Sequence, residues 1–157
     1  MEPSFEKLLV LLADAQVRFI LVGGLAVSVQ GYVRFTEDVD MLIDTEPANI
    51  TRLLDTLAGY GEGFARELTA ADFTDEEGAI RIVEESEQCQ IDIFTRMSGQ
   101  RYDDLARHAD AFKVANREIL CASKPSLIAL KETSHREKDK IDAQALKELI
   151  QNPKAFD

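Results

Sequence analysis

The 157-residue sequence predicts an α/β protein on three observations: short apolar runs of strand length, longer segments with apolar residues at helical spacing between them, and a Gly-Gly turn closing the first run. The length suits one domain around one hydrophobic core. Its expected layout is a core over about residues 1–112, followed by a C-terminal strand and helices over about 113–157.

The elements read in order as follows. Ser4 is placed to cap a helix over about 5–15, with Leu8, Leu9, Leu11 and Leu12 inward and Lys7 and Asp14 outward. Arg18-Phe19-Ile20-Leu21-Val22 has the β-branched and aromatic content of a strand and stops at Gly23-Gly24; Leu25 to Gln30 then reads as a brief buried helix. Over 36–43, acidic and apolar residues alternate before the run becomes wholly apolar, which predicts a second strand whose halves face different surroundings. Pro47 opens a helix with Ile50, Leu53, Leu54 and Leu57 on one side, ending at Gly59-Tyr60-Gly61. Residues 62–79 are acidic and rich in turn signals, consistent with a loop or a short strand and helix. Residues 81–83 and 89–94 predict a hairpin joined through the polar Glu84-Glu85-Ser86-Glu87. A helix over about 102–108 and a strand over 118–121 follow. Ser123 then caps a helix carrying Pro125 in its first turn and Leu127, Ile128 and Leu130 inside. The last helix, over about 139–151, has Ile141, Ala145, Leu146, Leu149 and Ile150 as its apolar face, with Asp139 and Asp142 forming an acidic first turn.

Composition excludes several classes. Hydrophobic content of 45% and charged content of 30% are those of a globular protein, and no stretch reaches the ~20 apolar residues of a spanning helix. The first residues lack the basic region and cleavage site of a secretory signal, so the expectation is a soluble cytoplasmic protein with no membrane partner. Cys89 and Cys121 make neither a disulfide framework nor a metal cluster and read as core residues. A net charge of −11 argues against coating nucleic acid through broad phosphate neutralisation, so an RNA acceptor is compatible with the sequence but not indicated by its charge. The charge is uneven: residues 1–112 carry nine basic and twenty-two acidic side chains, residues 113–157 nine and seven. An anionic ligand is therefore expected on the C-terminal third.

The most informative segment is Gly23-Gly24, thirteen intervening residues, then Asp38-Val39-Asp40. Residues two apart in a strand share a face, so Asp38 and Asp40 project together while Val39 packs on the other side. Two carboxylates at one spot repel each other unless a cation lies between them, and Mg²⁺ takes such hard oxygen ligands while keeping places for water or phosphate. Glycines at the strand-to-helix turn let backbone N–H groups approach a phosphate closely. A third carboxylate, Asp92, lies in the apolar Ile91-Asp92-Ile93-Phe94, where an isolated charge is costly unless paired or ligating. It is the expected third ligand and the base for an acceptor proton.

With these residues in place the sequence resembles the polymerase-β-like nucleotidyltransferases, specifically the small minimal proteins and the abortive-infection type toxins. The matching residues are Gly23-Gly24, Arg34, Thr36, Asp38-Val39-Asp40 and Asp92, and the tail residues Pro125 to Lys131 and Arg136-Glu137-Lys138-Asp139 are similar to a helix pair of toxin-like members. The resemblance covers roughly residues 18–150. It implies a nucleotidyltransferase fold with a mixed central sheet flanked by helices, Mg²⁺ or Mn²⁺ as cofactor, and a nucleoside triphosphate as donor. Asp38, Asp40 and Asp92 would be its metal and catalytic residues; Gly23, Gly24, Arg34, Thr36 and Lys131 would bind nucleotide. Gly24 departs from members that carry serine there, and Glu37 adds a charge expected on the opposite side of the strand.

The function expected is transfer of a nucleoside monophosphate to an acceptor hydroxyl on a protein, an RNA or a small molecule, with a toxin role and an antitoxin-like protein partner as an extension of the resemblance. The alternative is a nucleotidyltransferase-like binding or regulatory module without turnover; retention of all three carboxylates argues against it. A purely structural interaction protein has only the acidic surface in its favour. His108, His135, Arg136 and Lys138 are expected at the surface or at helix ends, outside the site.

Overall fold

The computed structural model describes residues 1–157. Six strands form one mixed sheet in the order β3-β4-β2-β1-β6-β5, built from β1 (Phe19–Val22), β2 (Asp38–Ile43), β3 (Ile80–Glu84), β4 (Cys89–Phe94), β5 (Asp110–Val114) and β6 (Arg117–Cys121). Six helices surround it: α1 (Pro3–Asp14), α2 (Gly23–Val29), α3 (Pro47–Ala58), α4 (Tyr102–Ala106), α5 (Lys124–Glu132) and α6 (Glu137–Gln151). No helix is long and apolar enough to cross a membrane.

The central strands are apolar on both faces because both are covered. All four residues of β1 are buried, and Met41, Leu42 and Ile43 close β2 with no exposure, as the wholly apolar second half of that run predicts. α1 supplies Phe5, Leu8, Leu9 and Leu12 to the same 33-residue apolar cluster and packs on β6, while α2 lies on β1 and β2 and meets α5 and α6. Cys89 and Cys121 are core residues, as expected.

Register positions the site. β1 runs antiparallel to β2 with Val22 opposite Asp40, and β2 runs parallel to β4 with Asp40 opposite Asp92. β3 then pairs antiparallel with β4, placing Arg81 opposite Asp92. The end of β1, both acids of β2 and the acid of β4 therefore lie side by side.

Several elements differ from the sequence expectation for local reasons. α1 begins at Pro3, whose fixed φ suits a first helical position, so Glu2 is the N-cap and Ser4 lies inside the first turn. Leu11 is partly exposed. α2 begins at Gly23 itself, merging turn and helix; residues 62–79 take the loop form of the two expected, with 3₁₀ turns at Phe64–Glu67 and Ala70–Asp72. The β5–β6 hairpin contains a strand that the sequence did not announce. Its turn residues Ala115 and Asn116 both have positive φ, 47° and 66°, the backbone of a two-residue primed turn without the Asn-Gly signal that marks one. On α6, Ile141 and Ile150 are about half exposed while Asp142, Ala143, Ala145, Leu146 and Leu149 are buried, so the inward face is turned relative to the one expected.

Glu84 belongs to β3 rather than to a solvated turn. It is fully buried, and its carboxylate accepts the backbone N–H groups of Glu62 at 2.8 Å and Phe64 at 2.9 Å, pinning the start of the 62–79 segment to the sheet. Glu84→Ala leaves these donors without a partner and is expected to lower stability by about 2–3 kcal/mol, whereas Glu85→Ala on the exposed side stays within about 0.5 kcal/mol. Urea unfolding of the two variants measures the difference.

Candidate active site

At the end of β1 the chain turns at Gly23, whose φ of +74° suits glycine. A Cβ there would fall 2.0 Å from Asp40 Oδ2, so the turn's backbone packs directly on that carboxylate. Asp38, two residues earlier on β2, projects on the same side, and Val39 between them is fully buried on the other. Asp92 reaches the spot from β4. Each of the three offers a carboxylate oxygen, and these oxygens all lie within 4.8 Å of one another.

Crowding of like charge shows in their titration. Burial, followed by the charges of Asp38 and Asp92, pushes the Asp40 carboxyl from 3.8 up to about 7. Asp38 is also raised, first by burial and then by Asp92, although Gln90 Nε2 donates to its Oδ2 at 3.2 Å. Asp92 goes the other way. Burial alone would raise it, but the Arg81 guanidinium, donating from Nε to Oδ1 at 2.9 Å and from Nη2 to Oδ2 at 3.1 Å, heads the contacts that hold it below the usual carboxylate range.

A cationic wall faces the acids. Arg34 lies over the glycine turn so closely that a Cβ on Gly24 would meet its Nη2 at 2.8 Å. The Arg34 guanidinium donates from Nε and Nη2 to the two oxygens of Asp142, both at 2.7 Å. Lys131 Nζ contacts Asp142 Oδ2 at 2.9 Å and Asp139 Oδ1 at 3.1 Å. Asp142 has no exposed surface; burial would raise its pKa, and the hydrogen bonds from Arg34 and Lys131 bring it below the usual range. Thr36 donates from Oγ1 to the Asp38 carbonyl at 3.2 Å at the entry to β2.

A cleft of about 490 Å³ lies between the two walls, and all the residues predicted for the site line it: Gly23, Gly24, Arg34, Thr36, Asp38, Asp40, Asp92 and Lys131. It also holds residues the sequence reading left out. Arg136 and Lys138, expected at the surface, are exposed but border the cleft, Arg136 from the N-cap of α6 and Lys138 from its first turn, and Glu37 borders it just before β2 begins at Asp38. Arg81 and Asp139 line it as well, and Asp142 holds Arg34 and Lys131 without lining it. One signal was available for the aspartates: 139, 142, 146 and 149 fall on one helical stripe, which places Asp139 and Asp142 in line with buried Leu146 and Leu149. His108 and His135 stay outside the cleft, as expected.

The model of the family described as nucleotidyl transferase AbiEii toxin, type IV toxin–antitoxin system, matches residues 8–153. The chain belongs to this family. Solved structures of similar fold accompany the AbiEii match. The lincosamide antibiotic adenylyltransferase LnuA, bound to lincomycin, superposes with a TM-score of 0.63 at 20% identity over 94% of this chain and 96% of that one. An antigenic nucleotidyltransferase-like protein from Paracoccidioides brasiliensis gives a TM-score of 0.58 at 14% identity, over 94% and 76% of the two chains. At these identities the likeness establishes the nucleotidyltransferase fold. No curated relative matches the sequence.

Asp40 also gives the fold of this AbiEii-family chain a pH dependence. Its pKa is higher folded than unfolded, so its contribution to stability is fully present below about 3.8 and is lost as pH rises through about 7. In metal-free buffer Asp40→Asn, which stays neutral, is expected to melt several degrees above the native chain near pH 8, the gain vanishing near pH 4. Thermal melts followed by circular dichroism across that range measure it.

Proposed function

We propose that this nucleotidyltransferase moves a nucleoside monophosphate from a nucleoside triphosphate to an acceptor hydroxyl, using Mg²⁺ or Mn²⁺ held by Asp38, Asp40 and Asp92. The observation that carries this reading is the convergence of three carboxylate oxygens within 4.8 Å, opposite Arg34 and Lys131, across a glycine turn with no side chain of its own. An all-oxygen, anionic donor set suits a hard divalent cation, and the raised Asp38 and Asp40 pKa values mark the charge such a cation would relieve. When bound, the cation would neutralise charge on the phosphoryl oxygens and favour ionisation of the acceptor hydroxyl.

The chain's own residues do the rest. The Gly23-Gly24 backbone meets the donor phosphates, with Arg34 and Lys131 preset beside it by Asp142; Arg136 and Lys138 extend the positive wall toward the departing pyrophosphate. In the free protein Arg81 lowers the Asp92 pKa, so Asp92 would enter the reaction ionised and take the hydroxyl proton as the new P–O bond forms and pyrophosphate leaves. As a member of a toxin family the protein would act in the cytosol on a cellular protein, RNA or small molecule, held in check by an antitoxin from a neighbouring gene.

Isothermal titration of each nucleoside triphosphate with Mg²⁺ tests the site: the native chain is expected to bind at least one, and Asp38→Ala/Asp40→Ala none. Binding by neither, with folding intact, would leave a partner-dependent binding module as the better reading. In the same titration Asp142→Asn, which loosens Arg34 and Lys131 together, is expected to weaken nucleotide binding about tenfold while leaving Mn²⁺ affinity unchanged.

A further inference from the structure

The two partners in the Arg81–Asp92 pair are unequally placed. The Asp92 side chain is 6% exposed on β4, inside the sheet, whereas that of Arg81 is 60% exposed on β3, at its edge. The guanidinium can swing away without opening the core, and the carboxylate cannot follow it. It engages both oxygens of Asp92, while Asp40 pairs with no cation and Asp38 accepts only an amide hydrogen bond from Gln90. Arg34 and Lys131 are tied to Asp139 and Asp142 on the opposite wall, so Arg81 alone neutralises the triad from within contact distance. With it in place the cluster formally carries two negative charges instead of three, and Asp92 has fewer lone pairs free for a ligand bond.

We propose that Arg81 is a positioning residue that competes with the divalent cation for Asp92. In the free protein it holds the third carboxylate. The cation would enter through Asp38 and Asp40, and Asp92 would join once the guanidinium is displaced into the open cleft. This rests on the reading of the triad as a cation site.

Mn²⁺ titration of the full chain without nucleotide, by calorimetry and by the electron paramagnetic resonance signal of free Mn²⁺, tests the competition. Arg81→Gln is expected to bind Mn²⁺ about three- to tenfold more tightly than the native chain. In an Asp92→Asn background the same substitution is expected to change affinity less than about twofold, because the effect acts through that carboxylate. Arg81→Lys, which keeps the charge but not the two-pronged grip, should give a smaller gain and guards against misfolding of the first variant. Unchanged or weaker binding in Arg81→Gln would show a static prop, and an equal gain in both backgrounds would show a diffuse charge effect; either overturns the proposal. If neither the native chain nor Arg81→Gln binds Mn²⁺, the cation reading of the triad falls and the competition with it. Mn²⁺ binding indifferent to Arg81 removes only the latter.

Discussion

Three strands in fixed register hold this structure's chemistry in place. Val22 opposite Asp40, and Asp40 opposite Asp92, bring the end of β1 and two carboxylates into one row, and the pleat adds Asp38 on the same side. A slip of one residue in β2 would send both acids into the core and Val39 to the cleft, so the apolar packing of Val39, Met41 and Ile43 and the placement of the acids enforce the same register. The hydrophobic effect supplies the energy that holds like charges together. Gly23 is part of that constraint, because any side chain there would occupy the volume of Asp40.

The C-terminal helices join the site through one buried carboxylate. Asp142 on α6 has no exposed surface, and both its oxygens are bonded by Arg34, with Lys131 sharing one of them. Breaking such a buried group away from its partners costs roughly 3–5 kcal/mol, yet apolar residues in its place often do as well for stability, so the arrangement is better understood as placement than as reinforcement. It takes two long, flexible side chains from different parts of the chain and fixes them beside the glycine turn before any ligand arrives. The side-chain entropy that binding would otherwise remove is removed on folding.

Legibility in the sequence followed the range of the interaction. Asp38 and Asp40 were legible because the period of a strand is local, and Gly23-Gly24 because a turn is local. Asp92 stood out as an acid in an apolar run, which requires an explanation wherever it occurs. Arg81 was silent because its meaning depends on facing Asp92 across the hairpin, and one arginine in a strand has no signature. Asp139 and Asp142 looked like an ordinary acidic first turn; only their alignment with Leu146 and Leu149 gave them away, and the exposed Ile141 and Ile150 masked that alignment. β5 was lost to a primed turn made of Ala115 and Asn116, where tertiary pairing overrides turn propensity.

The distribution of charge follows from the same geometry. An acidic wall drawn from β2 and β4 must face a basic wall drawn from elsewhere, and the C-terminal third supplies Lys131, Arg136 and Lys138 to it, which is where the sequence alone placed an anionic ligand. The two walls oppose each other across a cleft of about 490 Å³, so an anion entering it is attracted by one and repelled by the other. On the proposed reading, a phosphate chain lying against the basic wall would meet the carboxylates only at one end, where their repulsion would call for a cation between them. The chain as a whole has a net charge of −11, so the surface outside the cleft offers a long polyanion little purchase.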